Sequence, residues 1–346
     1  MNPSLIVPSL ATCFVALAAP AQDLPGPAPE LQKLAPLIGH WQGSGTARMG
    51  PGEPTTWESH STYAWVLGDF FVQEDTVVRF RGMPEPLVMR AYLGWDPAKR
   101  TFVSAGADNG GHVRVNRMEI PEDEAFVTLV QRVHDGQLVC ERFTSRVRGD
   151  TAEFSIDAMS GAAPAMRVVE GTMKRVDEPA PTSLEAGAFM AAPGPELRQL
   201  ARSVGTYDVH AKMVMTPGVP AMTITGVDEI ASHFGGNVVH VHTTGVAEGH
   251  PGQYVGEVFY GFDAGRDGVV ALYVSNMGEV GEMSGVFAAD HRQFILTSSS
   301  PWMGQSLAQR MVMHLDADGA PERTVGHYLL GAEAPFESWS ATYTKR

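Results

Sequence analysis

The residues with the most evident chemical capacity in this chain are His240 and His242, two apart in the run Val238-Val239-His240-Val241-His242. Residues two apart on a strand share a face, so both imidazoles would point the same way and could chelate one metal ion. His210, His233 and His250 lie in the same half of the chain. Haem or divalent-metal ligation by His240 and His242 is therefore one reading. The positions that answer to them in the first half are Gln73 and Asp75, which favours a plain polar strand face. A cupin-type metal motif is rejected, because the spacings to Glu248 and Gly256 are each one residue off and no second Pro-x-Gly-x-x-His element follows.

Other chemistries find less support. Met213-Val214-Met215 and Met311-Val312-Met313 could offer thioethers to copper. Methionine more often fills irregular apolar space, and here it would suit a cavity for a flexible ligand. No convincing Gly-x-Ser-x-Gly elbow or carboxylate pair in a defined strand context is found. Asp96 and Asp263 recur, but each follows a Gly-aromatic pair at a turn where an Asx side chain caps the backbone. No catalytic residue is assigned, and the chain reads as a binding module in preference to an enzyme.

The elements that must position these residues come from a duplication. PELQKLAPLIGHW, Pro29 to Trp41, returns as PELRQLARSVGTY, Pro195 to Tyr207. Behind each copy the matches continue: Gly39 with Gly205, Gly68 with Gly235, Thr76 with Thr243, Gly94 with Gly261, Asp96 with Asp263, Asn109 with Asn276, Gly111 with Gly278, and Lys174-Arg175 with Lys345-Arg346. A spacing that drifts slowly upward along the chain is what duplication with small loop insertions produces. Leu31, Leu34, Leu37 and Ile38 give Glu30 to Ile38 an apolar helical face that Gly39 ends. From Trp41 onward short alternating runs such as Thr62-Tyr63-Ala64-Trp65-Val66 are separated by Gly, Pro, Asn and Asp clusters, which predicts an antiparallel meander closed into a barrel. In Gly39-His40-Trp41-Gln42-Gly43-Ser44-Gly45 the Trp would plug the barrel end and the glycines let the first strand bend sharply.

Composition agrees with a folded, exported chain. The 346 residues suit two domains, 44% are hydrophobic and 18% charged, and the formal charge is -14. That charge argues against a nucleic-acid partner and against anionic lipid surfaces. Leu5 to Ala18 is too short and Pro-interrupted to span a bilayer, and Ala19-Pro20-Ala21 reads as a cleavage site, so residues 1–21 are expected to be a signal peptide, with no membrane insertion after its removal. A lipoprotein reading through Cys13 is weaker, because Thr12 stands where a small residue is expected. Cleavage leaves Cys140 alone, without an internal disulfide, in an alternating strand.

The PEL-x-x-L helix, Gly-His-Trp-x-Gly-x-Gly, Leu67-Gly68-Asp69-Phe70, Tyr92-Leu93-Gly94-Trp95-Asp96-Pro97 and the terminal Lys-Arg together resemble the bacterial domain of unknown function fifteen seventy-nine. The resemblance spans both halves. It implies a lipocalin-like antiparallel barrel, distantly similar to nitrobindin-type haem barrels and fatty-acid-binding-type barrels, and no known reaction.

The expected protein is all-β: two tandem lipocalin-like barrels at 29–176 and 195–346, each preceded by a short helix, with an extended leader at 22–28 and a linker at 177–194. Each barrel would enclose an apolar cavity for one small molecule, with no cofactor. The inward residues expected to line it are Trp41, Tyr63, Trp65, Phe71, Tyr92 and Trp95, with Tyr207, Phe234, Phe259 and Phe262 in the second copy. A further possibility is a structural role in which the repeats pack as an intramolecular pseudo-dimer.

Overall fold

The structure is a computed structural model that describes residues 26–48, 52–121, 125–134, 137–179, 184–189, 192–214, 220–248, 252–263, 266–302, 305–332 and 334–346. The expected signal peptide, Cys13, Met215 and His250 lie outside them.

Among the described residues the first repeat forms ten strands: β1 (Gly39–Ala47), β2 (Thr55–Val66), β3 (Phe71–Phe80), β4 (Leu87–Asp96), β5 (Thr101–Asp108), β6 (Val113–Glu119), β7 (Ala125–His134), β8 (Gln137–Arg148), β9 (Thr151–Ser160) and β10 (Met166–Val176). Each pairs antiparallel with the next, and β1 closes onto β10. The second repeat closes in the same way through β11 (Gly205–Met213), β12 (Met222–His233), β13 (Val238–Ala247), β14 (Tyr254–Asp263), β15 (Gly268–Ser275), β16 (Val280–Phe287), β17 (Gln293–Trp302), β18 (Gln305–Leu315), β19 (Pro321–Leu330) and β20 (Phe336–Lys345). Closure pairs every strand on both sides, the solution the short alternating runs required.

A lid enters each barrel end. The first is a 3-10 helix, Pro29–Leu37, that buries Leu31, Leu34 and Leu37. Pro36 accounts for that form, since it has no N–H to donate back along an α-helix. The second copy has Arg202 at this place, and there α1 (Pro195–Leu200) is α-helical before a 3-10 turn at Ala201–Ser203. The aromatic that follows makes the same bond in both copies: Trp41 Nε1 donates to Leu37 O and Tyr207 Oη to Ser203 O, each at 2.8 Å. A cation covers each ring, Arg175 with its guanidinium carbon 4.4 Å from the Trp41 centroid and Lys345 with its nitrogen 5.9 Å from that of Tyr207. Strand register places Arg175 opposite Trp41 and Lys345 opposite Tyr207, so Arg175 answers to Lys345, one residue from the alignment that the sequence suggests.

Gly43 and Gly45 serve close packing. A Cβ on Gly43 would lie 2.7 Å from Ser59 Oγ and 2.9 Å from Met173 Cγ, and one on Gly45 would overlap the Glu170 carbonyl. In the second barrel Val209 and Ala211 stand at these places, and the close approach moves to Gly226 and Gly245.

The barrels pack through their outer walls. Phe71, Tyr92, Val103, Ala105 and Val113 of the first join Phe234, Val238, Phe259, Val270 and Leu272 of the second in one buried cluster. The linker adds Leu184 and Ala186 to it. Asn109 clasps the junction: its Oδ1 accepts from Val88 N at 2.9 Å, and its Nδ2 donates to Pro86 O at 2.8 Å and to linker Gly187 O at 2.9 Å. Asn276 repeats the first two bonds with Val255 N and Gln253 O.

Candidate functional site

Pairing across the sheets assigns each side chain to the lumen or the outer wall, because directly opposed residues share a face. Trp41 is opposed by Ser61, Ser61 by Thr76 and Tyr63 by Glu74. These side chains therefore face inward, as do Trp65, opposed by Val72, and Trp95, opposed by Phe102. A polar chain crosses the floor of this lumen: Tyr63 Oη donates to Glu74 Oε1 at 2.9 Å, and Thr76 Oγ1 lies 3.0 Å from the same oxygen and 2.7 Å from Ser61 Oγ. Burial pushes the Glu74 carboxyl above its ordinary value, against the pull of the Tyr63 and Thr76 hydrogen bonds. The Tyr63 hydroxyl is pushed well up, first by burial and then by the charge of Glu74. Yet Tyr63, Glu74, Trp65 and Trp95 all keep part of their surface accessible. Inward-facing side chains of this barrel therefore keep accessible surface.

The second lumen is built in the same row of the sheet. Tyr207, Asp228 and Thr243 are successive cross-strand neighbours on β11, β12 and β13. Thr243 Oγ1 donates to Asp228 Oδ1 at 2.8 Å. Burial pushes the Asp228 carboxyl up to about 6, against that hydrogen bond. Tyr260 and Tyr343 have raised hydroxyls, through burial first and the charge of Asp228 next. Phe262 faces this lumen beside the lid. Tyr343 Oη lies 3.1 Å from Thr324 Oγ1.

Four expected lining residues lie elsewhere. Phe71, Tyr92, Phe234 and Phe259 belong to the core between the barrels, where Tyr92 and Phe259 rings lie 6.0 Å apart. His240 and His242 share a face, and it is the outer one, since Val239, Val241 and Thr243 take the inward positions. Both rings engage one carboxylate, His240 Nε2 at 2.6 Å and His242 Nδ1 at 2.9 Å from Glu257. Burial acts to raise the Glu257 carboxyl, and the hydrogen bond and charge of His240, followed by His242, outweigh it and hold the group below its ordinary value. His240 also stacks on Phe259 at 4.4 Å. Among the described residues no three His, Cys, Asp or Glu side chains are arranged to hold a metal ion. In the first barrel the equivalent outer positions hold Asp75 and Arg90, paired at 2.7 Å.

The second wall is closed by few pairs between β16 and β17. Strands β16 and β17 pair only through Ser284–Phe287 and Phe294–Thr297 among the described residues. Beyond them a cleft of 320 Å³ opens, lined by Tyr273, Gly281, Ser298 and Ser300 of the second barrel and by Lys99 and Val115 of the first. Ser300 Oγ is buried there without a hydrogen-bond partner. Strands β6 and β7 are similarly short of pairs, joined among the described residues only through Arg117–Glu119 and Val127–Leu129.

Glu74 and Asp228 are the groups that the strand pattern alone does not single out. The available signal was the repeated threonine, Thr76 and Thr243, with an acidic residue in reach: on the same strand in one copy, across the pair in the other.

No curated protein matches the chain. Among solved structures, Rv2717c from M. tuberculosis is 18% identical, with 43% of this chain and 99% of that one covered at a TM-score of 0.33. A protein of unknown function from the DUF3598 family of Nostoc punctiforme is 11% identical, over 92% and 100% of the two chains, at 0.26. A putative outer membrane protein from Bacteroides fragilis is 10% identical, over 91% and 99%, at 0.20. The family model described as protein of unknown function DUF1579 matches residues 26–173 and again 192–344, one match on each barrel. With most of its length matched twice over by that model, the chain belongs to the DUF1579 family as a tandem pair.

Proposed function

We propose that this protein is an exported binder of small, largely apolar molecules, with a binding chamber in each barrel and no catalytic step. The supporting observation is the accessible surface on enclosed inward side chains: Tyr63, Trp65, Trp95 and Glu74 in the first lumen, Asp228, Phe262 and Tyr343 in the second. Aromatic walls with a few convergent polar groups are the usual make-up of a small-molecule site. A cleft beside β16 and β17, lined in part by Tyr273, Gly281, Ser298 and Ser300, is a candidate route of entry in this reading. Export rests on the N-terminal apolar run and its Ala-x-Ala end.

Native mass spectrometry of the purified full chain, incubated with an apolar fluorescent probe, tests the reading. Discrete adducts of one or two probes per chain support it. Absence of any adduct, with no change in probe emission, contradicts it. A mature N-terminus at Gln22 would support export, and an intact N-terminus in the extracytoplasmic fraction would contradict cleavage at this place.

A further inference from the structure

We infer that the second lumen is a site for a small organic amine, whose ammonium group pairs with Asp228 beside the ring of Tyr343. The inference rests on the lumen-binding reading above and names the chemistry of its ligand.

Geometry carries it. Asp228 points inward from β12 between Tyr207 and Thr243. One carboxylate oxygen accepts the Thr243 hydrogen bond, and Oδ2 has no partner among the described residues. The residue is enclosed and yet keeps accessible surface. The inward positions of the second barrel's described strands carry no Arg or His, and Lys345, also on an inward position, covers the Tyr207 ring from the rim. A carboxylate removed from water without a counter-charge is costly, and a bound cation supplies what the wall omits. Tyr343 keeps accessible surface and offers a ring face of the kind ammonium groups favour, while Tyr207 and Tyr260 are buried in the wall around it. The net charge of -14 draws cations toward the protein.

Glu74 repeats half of this design, with Oε1 held by Thr76 and Oε2 without a hydrogen bond among the described residues. Arg114, opposed by Gly106, shares that inward face. The assignment is therefore made to the second lumen.

Calorimetric titration of the full chain with hexylamine, hexan-1-ol and hexanoate tests the inference. The amine should bind about tenfold or more tighter than the alcohol, and hexanoate weakest. Asp228→Asn should remove that preference and leave alcohol affinity within about twofold, whereas Glu74→Gln should retain it. Lowering the pH from about 7.5 to about 5 protonates Asp228 and should weaken amine binding about tenfold in the parent chain and not in Asp228→Asn. The groups around Asp228 are Tyr207, Thr243, Tyr260 and Tyr343, with Lys345 at the rim and His242 on the outer face of β13. His242→Gln should preserve the pH dependence, and its loss there would assign the effect to His242 and overturn the inference. Equal binding of amine and alcohol, or amine binding indifferent to pH, would also overturn it, leaving the lumen reading intact. Binding of none of the three refutes both. If Asp228→Asn fails to fold by circular dichroism, the parent pH profile decides alone.

Discussion

Tyr92 of the first barrel packs against Phe259 of the second, ring centroids 6.0 Å apart, and the two residues occupy the same position of the repeat. A residue that meets its own equivalent is the contact that an approximate two-fold relation between the barrels would produce. Phe259→Ala should cost about 3–5 kcal/mol, as a large aromatic removed from a packed core does. Calorimetry is expected to show the unfolding transition lowered and separated into two as the barrels uncouple; an unchanged single transition would contradict a shared core.

The histidines act at this junction. His233 is held below its ordinary 6.5, mainly by burial and then by His240. The stability from keeping it neutral is present above pH 6.5 and lost as the pH falls through its lowered value. Glu257, also held low, contributes in the same direction, at more acid pH. Thermal midpoints of the parent chain should fall on acidification below about 6.5 more steeply than those of His233→Gln. Parallel curves would exclude His233 as a titrating contact.

Asp228 makes the opposite prediction. Its folded value of about 6 exceeds the ordinary 3.8, so the charged form opposes folding above pH 6 and the penalty fades as the pH falls from 6 towards 3.8. Asp228→Asn should therefore stabilise the empty protein at pH 8 by up to about 3 kcal/mol, with the gain shrinking in acid. Denaturant titrations at both pH values measure it; destabilisation at pH 8 would mean that the charge is compensated.

The two asparagines permit a comparison inside one chain. Asn109→Ala leaves buried Val88 N without its acceptor and also frees linker Gly187 O, whereas Asn276→Ala loses only the two bonds that the copies share. Both should destabilise, by about 1–3 kcal/mol, Asn109 more than Asn276. The reverse order would remove the linker from the account.

Barrels, lids and plugs were legible because duplication repeats the sequence signals of architecture, and the Asx turn at Asp96, which accepts from Ala98 N and Lys99 N at 3.0 Å, was legible from turn chemistry. Which aromatics face the lumen was not. Strands at the junction are buried on both faces: every residue from Val269 to Ser275 is buried, so alternation no longer distinguishes inside from outside. Aromatic character alone therefore points Phe71 and Tyr92 inward, although Val72 and Leu93 take the inward places. The His-x-His spacing puts both imidazoles on one face, and only the second barrel docked on the first reveals that this face is the junction.

The most direct test of the ligand chambers uses the tryptophans. Trp41, Trp57, Trp65 and Trp95 face the first lumen, so a brominated alcohol bound there quenches them by contact. Saturable quenching is predicted, reduced in Trp95→Phe and in Trp65→Phe. Quenching that rises linearly with bromide concentration, as for random collision, and is the same in each variant would contradict a ligand chamber in the first barrel.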